Sequence, residues 1–169
     1  MTMTEEQKDQ AETAALEVLL DTFGSLELTE FPLDLNAILE RYALTLRKGP
    51  FDDPDISGAF SRKAHTIYLS DKESPERQAF TVAHEIGHYK LHEDRPIDIL
   101  YRKQVWQLNS SADTDEAQAN WFAANLLMPK EAVERMWNIT HDVTRLSQIF
   151  GVSVTAMSRR LKDLNLVKG

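Results

Sequence analysis

The chain has 169 residues, no cysteine and a formal charge of −8, from 19 basic and 27 acidic side chains. That length suits one domain with a real core, and 42% apolar with 27% charged residues suits a folded, water-facing protein. The missing cysteines exclude disulfides and thiolate metal ligands. The acidic balance argues against the whole domain gripping a phosphate backbone, so direct nucleic-acid binding is not expected; it suits a basic protein partner better. No apolar run approaches the ~18 residues of a membrane span, and no signal peptide opens the chain. A cytoplasmic location without membrane contact is therefore expected.

In chain order, residues 5–20 read as a helix with Ala14, Ala15, Val18 and Leu19 toward a core. Pro32 opens a short helix running from Leu33 to Tyr42. Ala43 to Lys48 alternate as a strand, and residues 49–55, rich in Pro, Gly and Asp, form a loop. Ser57–Phe60 and Thr66–Leu69 pair as a small hairpin around Ser61–Ala64. The Ser57–Phe60 edge, or its partner, is expected to hold an extended peptide by adding it to the sheet as a further strand.

A helix follows. Ser74 is a natural N-cap, Pro75 fits the first helical position, and Glu76 suits the positive end of the dipole. Its centre is His84-Glu85-Ile86-Gly87-His88. Two histidines four apart share one helix face and can present two imidazoles to one ion, the zinc-metallopeptidase pattern. Glu85 stands about 100° round the helix from His84. A metal there would lower the pKa of a bound water toward about 7. Glu85 could then accept its proton and deliver it to a leaving amine. Gly87 costs about 1 kcal/mol of helix stability relative to alanine, so something is expected to pack closely against it.

A catalytic zinc keeps three protein ligands and one open position. His92 lies one turn beyond His88, too far along a straight helix to meet His84 at one ion. It reads as a partner behind the ligands or as a helix-end histidine. Residues 116–128 form a helical run that stops before Pro129. Glu116 on this run is the favoured third ligand, in a gluzincin arrangement. Asn120, one turn on, would hydrogen-bond the far nitrogen of His84 or His88. Two other uses stay open: Glu116 could form a capping box with Asp113, or Asp113 or Asp115 could be the ligand. His65, Tyr68, Tyr89 and Tyr101 could stabilise an oxyanion, with ordinary packing the simpler expectation. Residues 95–111 read as a connector, with Trp106 and Leu108 packing locally over the site.

At the C-terminal end, residues 142–150 and 154–164 read as helices joined by Gly151-Val152-Ser153, with Gly151 and Ser153 as caps. The layout resembles a helix-turn-helix, with Arg159, Arg160 and Lys162 clustered on the second helix. Three cations with Asp163 among them are thin for groove reading. A packing pair that braces the site is the expected role, with DNA contact or recognition of a protein partner as alternatives. The expected division is a metallopeptidase domain with N-terminal helices over residues 1–139 and a helical extension packed on it over 140–169.

Three segments, RQAFTVAHEIGHYKLH at 77–92, EAQANWFAANLLMP at 116–129 and FGVSVTAMSRRL at 150–161, are together similar to the ImmA/IrrE family of metallopeptidases. The resemblance is close over the C-terminal half and loose back to Pro32. It implies an α+β, zincin-like fold of the gluzincin type, mostly helical with a small β-sheet. It implies zinc held by His84, His88 and Glu116, with Glu85 as base. Mn²⁺ or Fe²⁺ are alternatives, since such ligand sets accept several first-row metals. It further implies cleavage of a helix-turn-helix repressor, relieving repression of a mobile-element, prophage or stress regulon. The larger stress-response members carry a further C-terminal sensor domain, which this chain is expected to lack. The alternative is a non-enzymatic, antitoxin-like protein that uses the same fold to hold a partner, with the C-terminal helices touching DNA.

Overall fold

Thr4 starts the first helix, α1 (Glu5–Phe23), through a reciprocal capping box with Gln7, and Gly24 closes it in the left-handed conformation at φ 76°. The structure is a computed structural model that describes residues 3–93, 99–103 and 114–167. Helix α1 buries Ala11, Ala15, Val18 and Leu19, the one-sided stripe that helix packing selects. Ala14, expected in that stripe, is half-buried at its margin. The Asp34 carboxylate accepts the Asn36 and Ala37 amides and starts α2 (Leu35–Arg41). This cap lies beyond Pro32 and Leu33, which therefore stay outside the helix.

Four strands, β1 (Thr45–Gly49), β2 (Ile56–Ser61), β3 (Thr66–Ser70) and β4 (Ile99–Lys103), form one sheet in the order β1-β3-β2-β4. Strands β2 and β3 make the expected antiparallel hairpin, with Phe60 opposite Ile67 and Gly58 opposite Leu69. Strand β1 pairs parallel with β3, and β4 pairs antiparallel with β2, Ala59 facing Tyr101 across the ladder. This corrects the expected docking edge. Ser57–Phe60 is flanked on both sides, and so is its partner β3. Among the described residues the outer strands are β1 and β4. Strand β4 falls in the stretch that reads as a connector; Trp106 and Leu108 of that stretch lie outside the described residues.

Helix α3 (Pro75–Leu91) starts where the Ser74 hydroxyl accepts the Arg77 amide. Every residue from Thr81 to His88 is buried. A helix enclosed all round is a central element rather than a surface one. Strands β2 and β3 pack on α3, as does α4 (Thr114–Leu127). Val82, Ala83 and Ile86 of α3 share one core with Phe60, Ile67 and Leu69 of the sheet and with Phe122, Ala123 and Leu126 of α4.

Two glycines allow the close approaches. A Cβ on Gly87 would stand 3.0 Å from Phe122 Cδ1 and 3.2 Å from Ala119 Cα, so α3 and α4 come together at the residue between the two histidines. A Cβ on Gly58 would stand 2.5 Å from Thr81 Cγ2, which brings β2 equally close to α3 from the other side.

The chain ends in α5 (Lys130–Thr140), α6 (Val143–Phe150) and α7 (Val154–Asp163). Helix α5 has no counterpart among the expected elements. Asp142 caps α6, Gly151 closes it at φ 63°, and Ser153 caps α7. Leu146, Phe150, Met157 and Leu161 join the same core as the sheet and α3. The expected cluster of Arg159, Arg160 and Lys162 is split. Arg160 is 2% exposed and donates to the Met128 carbonyl at 3.0 Å and to Asn125 Oδ1 at 2.6 Å, tying α7 to α4. Its partners are acceptors inside the protein, so it takes no part in a cationic surface. No helix among the described residues is long and apolar enough to cross a membrane.

Candidate metal centre

One turn apart on α3, His84 and His88 turn the same ring atom inward: their Nε2 atoms are 3.0 Å apart. Glu116, in the first turn of α4, completes the group. Its Oε2 lies 3.2 Å from His84 Nε2 and its Oε1 2.9 Å from His88 Nε2. The donor atoms of all three residues fall within 4.8 Å of one another. Ligands about 2.1 Å from a tetrahedral zinc stand about 3.4 Å apart, so the cluster is already close to coordination spacing. Of the alternatives for the third position, Asp113 lies outside the described residues, as does the capping box it would make. Asp115 Oδ1 is 3.7 Å from His92 Nε2, beside the neighbouring ring rather than the inward-facing pair.

The outward nitrogens are occupied. His84 Nδ1 is 3.0 Å from Asn120 Oδ1. An amide oxygen only accepts, so Nδ1 carries the hydrogen and a neutral His84 keeps a lone pair on Nε2. His88 Nδ1 lies 2.9 Å from His92 Nδ1. Burial works against a charge on Glu116, but hydrogen bonds and charge from His84 and His88 overcome it and hold the carboxyl well below the usual carboxylate range. An ionised carboxylate and two inward imidazole nitrogens need a cation among them, a proton on an imidazole in the metal-free chain or a metal ion in its place. The donor set therefore fits a divalent metal, and its two nitrogens and one carboxylate are what a catalytic zinc uses.

Glu85 is 1% exposed and faces the sheet, its Oε1 3.5 Å from where a Cβ on Gly58 would stand. The strand and the helix that carries the ligands thus enclose this carboxylate between them. Arg62, just past β2, donates to the carbonyls of His88 and His92 at 3.1 and 3.0 Å. A cation on the last carbonyls of a helix is favourable, and here it steadies the end of α3. Neither Arg62 nor Gln118, which reaches His92, stands out in the sequence: a lone arginine in a turn and a glutamine in a helix carry no local signal.

The other candidates lie in different surroundings. His65 sits in the β2–β3 turn at φ 47°, its ring 6.1 Å from that of Tyr89. Tyr89 also packs edge-on to Phe60 and against Tyr42. These residues form an aromatic group with Lys90 over Tyr42. Tyr68 is half-buried on β3, between Arg47 and Ala59 in the ladder. The structure brings together His84, His88, Glu116, Asn120 and His92, and places His65 and Tyr89 in the aromatic group.

Comparison with known proteins gives the same outline. The radiation response metalloprotease IrrE of Deinococcus deserti is 34% identical over 92 residues, which cover 54% of this chain and 31% of that protein. The uncharacterized immunity region protein 2 of Bacillus phage phi105 is 26% identical over 109 residues, 64% of this chain and 65% of that one. The matches thus span less than two thirds of either relative. A Mycobacterium tuberculosis transcriptional regulator of known structure shares the fold, with a TM-score of 0.61 over 95% of this chain and 48% of its own, at 18% identity. The model of the M78 peptidases, described as the IrrE N-terminal-like domain, matches residues 39–162. That match runs from α2 into α7 and contains both helices that gather the histidines and Glu116, and on it the chain belongs to the ImmA/IrrE family, the M78 metallopeptidases.

Proposed function

We propose that this chain is a zinc-dependent endopeptidase that cleaves a helix-turn-helix repressor and so relieves repression of mobile-element, prophage or stress genes. The observation that carries this reading is the convergence of His84 Nε2, His88 Nε2 and the Glu116 carboxylate, with Glu85 next in the same helix. A metal held there supplies Lewis acidity toward a water and a peptide carbonyl. The Glu85 carboxylate takes the proton of the attacking water and returns it to the leaving nitrogen. Asn120 holds His84 in the tautomer that leaves Nε2 for the metal.

An extended substrate would continue the sheet along the outer side of β4. That strand lies beyond β2, whose Gly58 is against Glu85. A metalloprotease of a radiation response and a phage immunity-region protein among the relatives support a regulator as the substrate. The charge of −8 suits a basic, DNA-binding one. Residues 140–169 serve as an extension that braces the 1–139 unit through Arg160 and the shared core.

The test is to incubate the zinc-loaded chain with a helix-turn-helix repressor encoded beside it and to follow both by mass spectrometry. The native chain is expected to cut the repressor, and Glu85→Gln to leave it whole. A stable complex in which zinc-loaded native chain never cuts its partner would replace this reading with that of a binding regulator.

A further inference from the structure

We infer that Gln118 and His92 are positioning residues that fix the tautomer of His88, and that the N-terminal helix anchors them. The inference rests on the metal site proposed above. Its starting point is an asymmetry. The outward nitrogen of His84 faces an amide oxygen, that of Asn120, whereas the outward nitrogen of His88 faces another histidine. Either ring of that pair could be the donor, so something further along must decide.

The deciding contact is a backbone carbonyl. Gln118 Nε2 lies 3.1 Å from the Gln7 carbonyl oxygen and 3.3 Å from Gln10 Oε1. A carbonyl only accepts, so the amide nitrogen of Gln118 must face α1 and its oxygen must face away. That oxygen is 3.3 Å from His92 Nε2. An amide oxygen also only accepts, so His92 Nε2 carries the hydrogen. Asp115 Oδ1, 3.7 Å from the same nitrogen, favours that placement too. A neutral His92 then has its lone pair on Nδ1, and His88 must donate Nδ1–H across the 2.9 Å gap. His88 Nε2 is left as a lone pair facing His84 and Glu116.

Burial makes the relay strict. Gln118 is 6%, His92 7% and His88 1% exposed, so water is a poor substitute for a lost partner. Without the Gln118 oxygen, His92 could reverse its tautomer and donate to His88, which would then present a hydrogen at Nε2 and could not ligate. Arg62 holds the His88 and His92 carbonyls together and keeps the two rings in register. The anchor at Gln7 lies on α1, before the segment that the family model matches, which starts at residue 39.

The experiment is a double-mutant cycle on zinc affinity in the 169-residue chain, read by competition with a chromophoric chelator. Gln118→Met keeps the length of the side chain and removes the acceptor. It is expected to weaken zinc by about 10–100-fold in the native background, the range for groups that orient a ligand. In a His92→Phe background the same change should alter affinity by less than about threefold, because the path through His92 is already cut. Equal losses in both backgrounds, or none in either, would overturn the relay. A second readout needs no substitution: nitrogen–proton correlation spectra of the zinc-loaded native chain should show His92 hydrogen on Nε2, and hydrogen on Nδ1 would overturn the relay outright. Native chain that binds no zinc would remove the metal site itself and the relay with it, whereas zinc binding with additive losses would remove only the relay.

Discussion

Two polar clusters touch opposite ends of α4, and they are built on opposite logic. At one end the Arg160 guanidinium meets the Met128 carbonyl and Asn125 Oδ1, a donor between two acceptors. At the other, two imidazole nitrogens and a carboxylate meet as three acceptors. The first cluster is complete with protein atoms alone. The second balances only when a cation, a proton or a metal, joins it. A buried polar group with all its partners reads as architecture, and one whose partners all lack hydrogen reads as a site. This separates the two: the Arg160 cluster is enclosed, whereas Glu116 leaves the second partly open to solvent.

The contrast can be tested by changing each cluster in turn. The largest effect is expected at Glu85, the residue after His84 on α3, which is not one of the three acceptors. Glu85→Gln should lower the cleavage rate by about 10²–10⁴-fold, the usual span for a general base, with zinc content unchanged. Assaying cleavage and metal together checks both halves. Arg160→Met should do the reverse: it strands the Met128 and Asn125 oxygens at a cost of about 3 kcal/mol in denaturant unfolding and leaves zinc affinity as it was. A loss of zinc affinity in this variant would mean that the two clusters are one.

Gly87→Ala should affect both properties. Its Cβ would press on Phe122 and Ala119, costing about 2 kcal/mol by overpacking and weakening zinc binding by moving the helix that carries Glu116. Unfolding and zinc titrations on one preparation would show whether the two losses travel together. The smallest effect is on acid stability of the metal-free chain. His84 and His88 hold the Glu116 carboxyl below its ordinary value of 4.5. Its contribution is therefore full above that pH and is lost as the pH falls from there through the lowered value. Glu116→Gln should flatten stability against pH in that range, as followed by denaturant melts.

Much of this was legible in the sequence because it is local. The caps at Ser74, Gly151 and Ser153 sit where their residue types predict, and Gly87 has the close neighbour that a glycine between two histidines suggests. The HExxH spacing and the Glu116–Asn120 pair are helical periodicities, readable one turn at a time. What was hidden is non-local. The parallel pairing of β1 with β3 passes over β2, and β4 comes from a stretch without alternation strong enough to mark a strand. Their absence from the reading left β2 as a free edge. Arg160 looked like a surface cation because its acceptors lie 32 and 35 residues away. Gln118 is tied to α1 across 111 residues, and no periodicity reports a contact of that span.

The central claim is that His84, His88 and Glu116 hold one catalytic metal ion. Its most direct test is the metal content of the purified native chain by elemental mass spectrometry, beside Glu116→Ala. One zinc per native chain, with the variant weakened by more than the about 100-fold that changes behind the ligands reach, is the expected result. Native chain that takes up no metal when zinc is supplied, or a variant that holds it as tightly, would contradict the account.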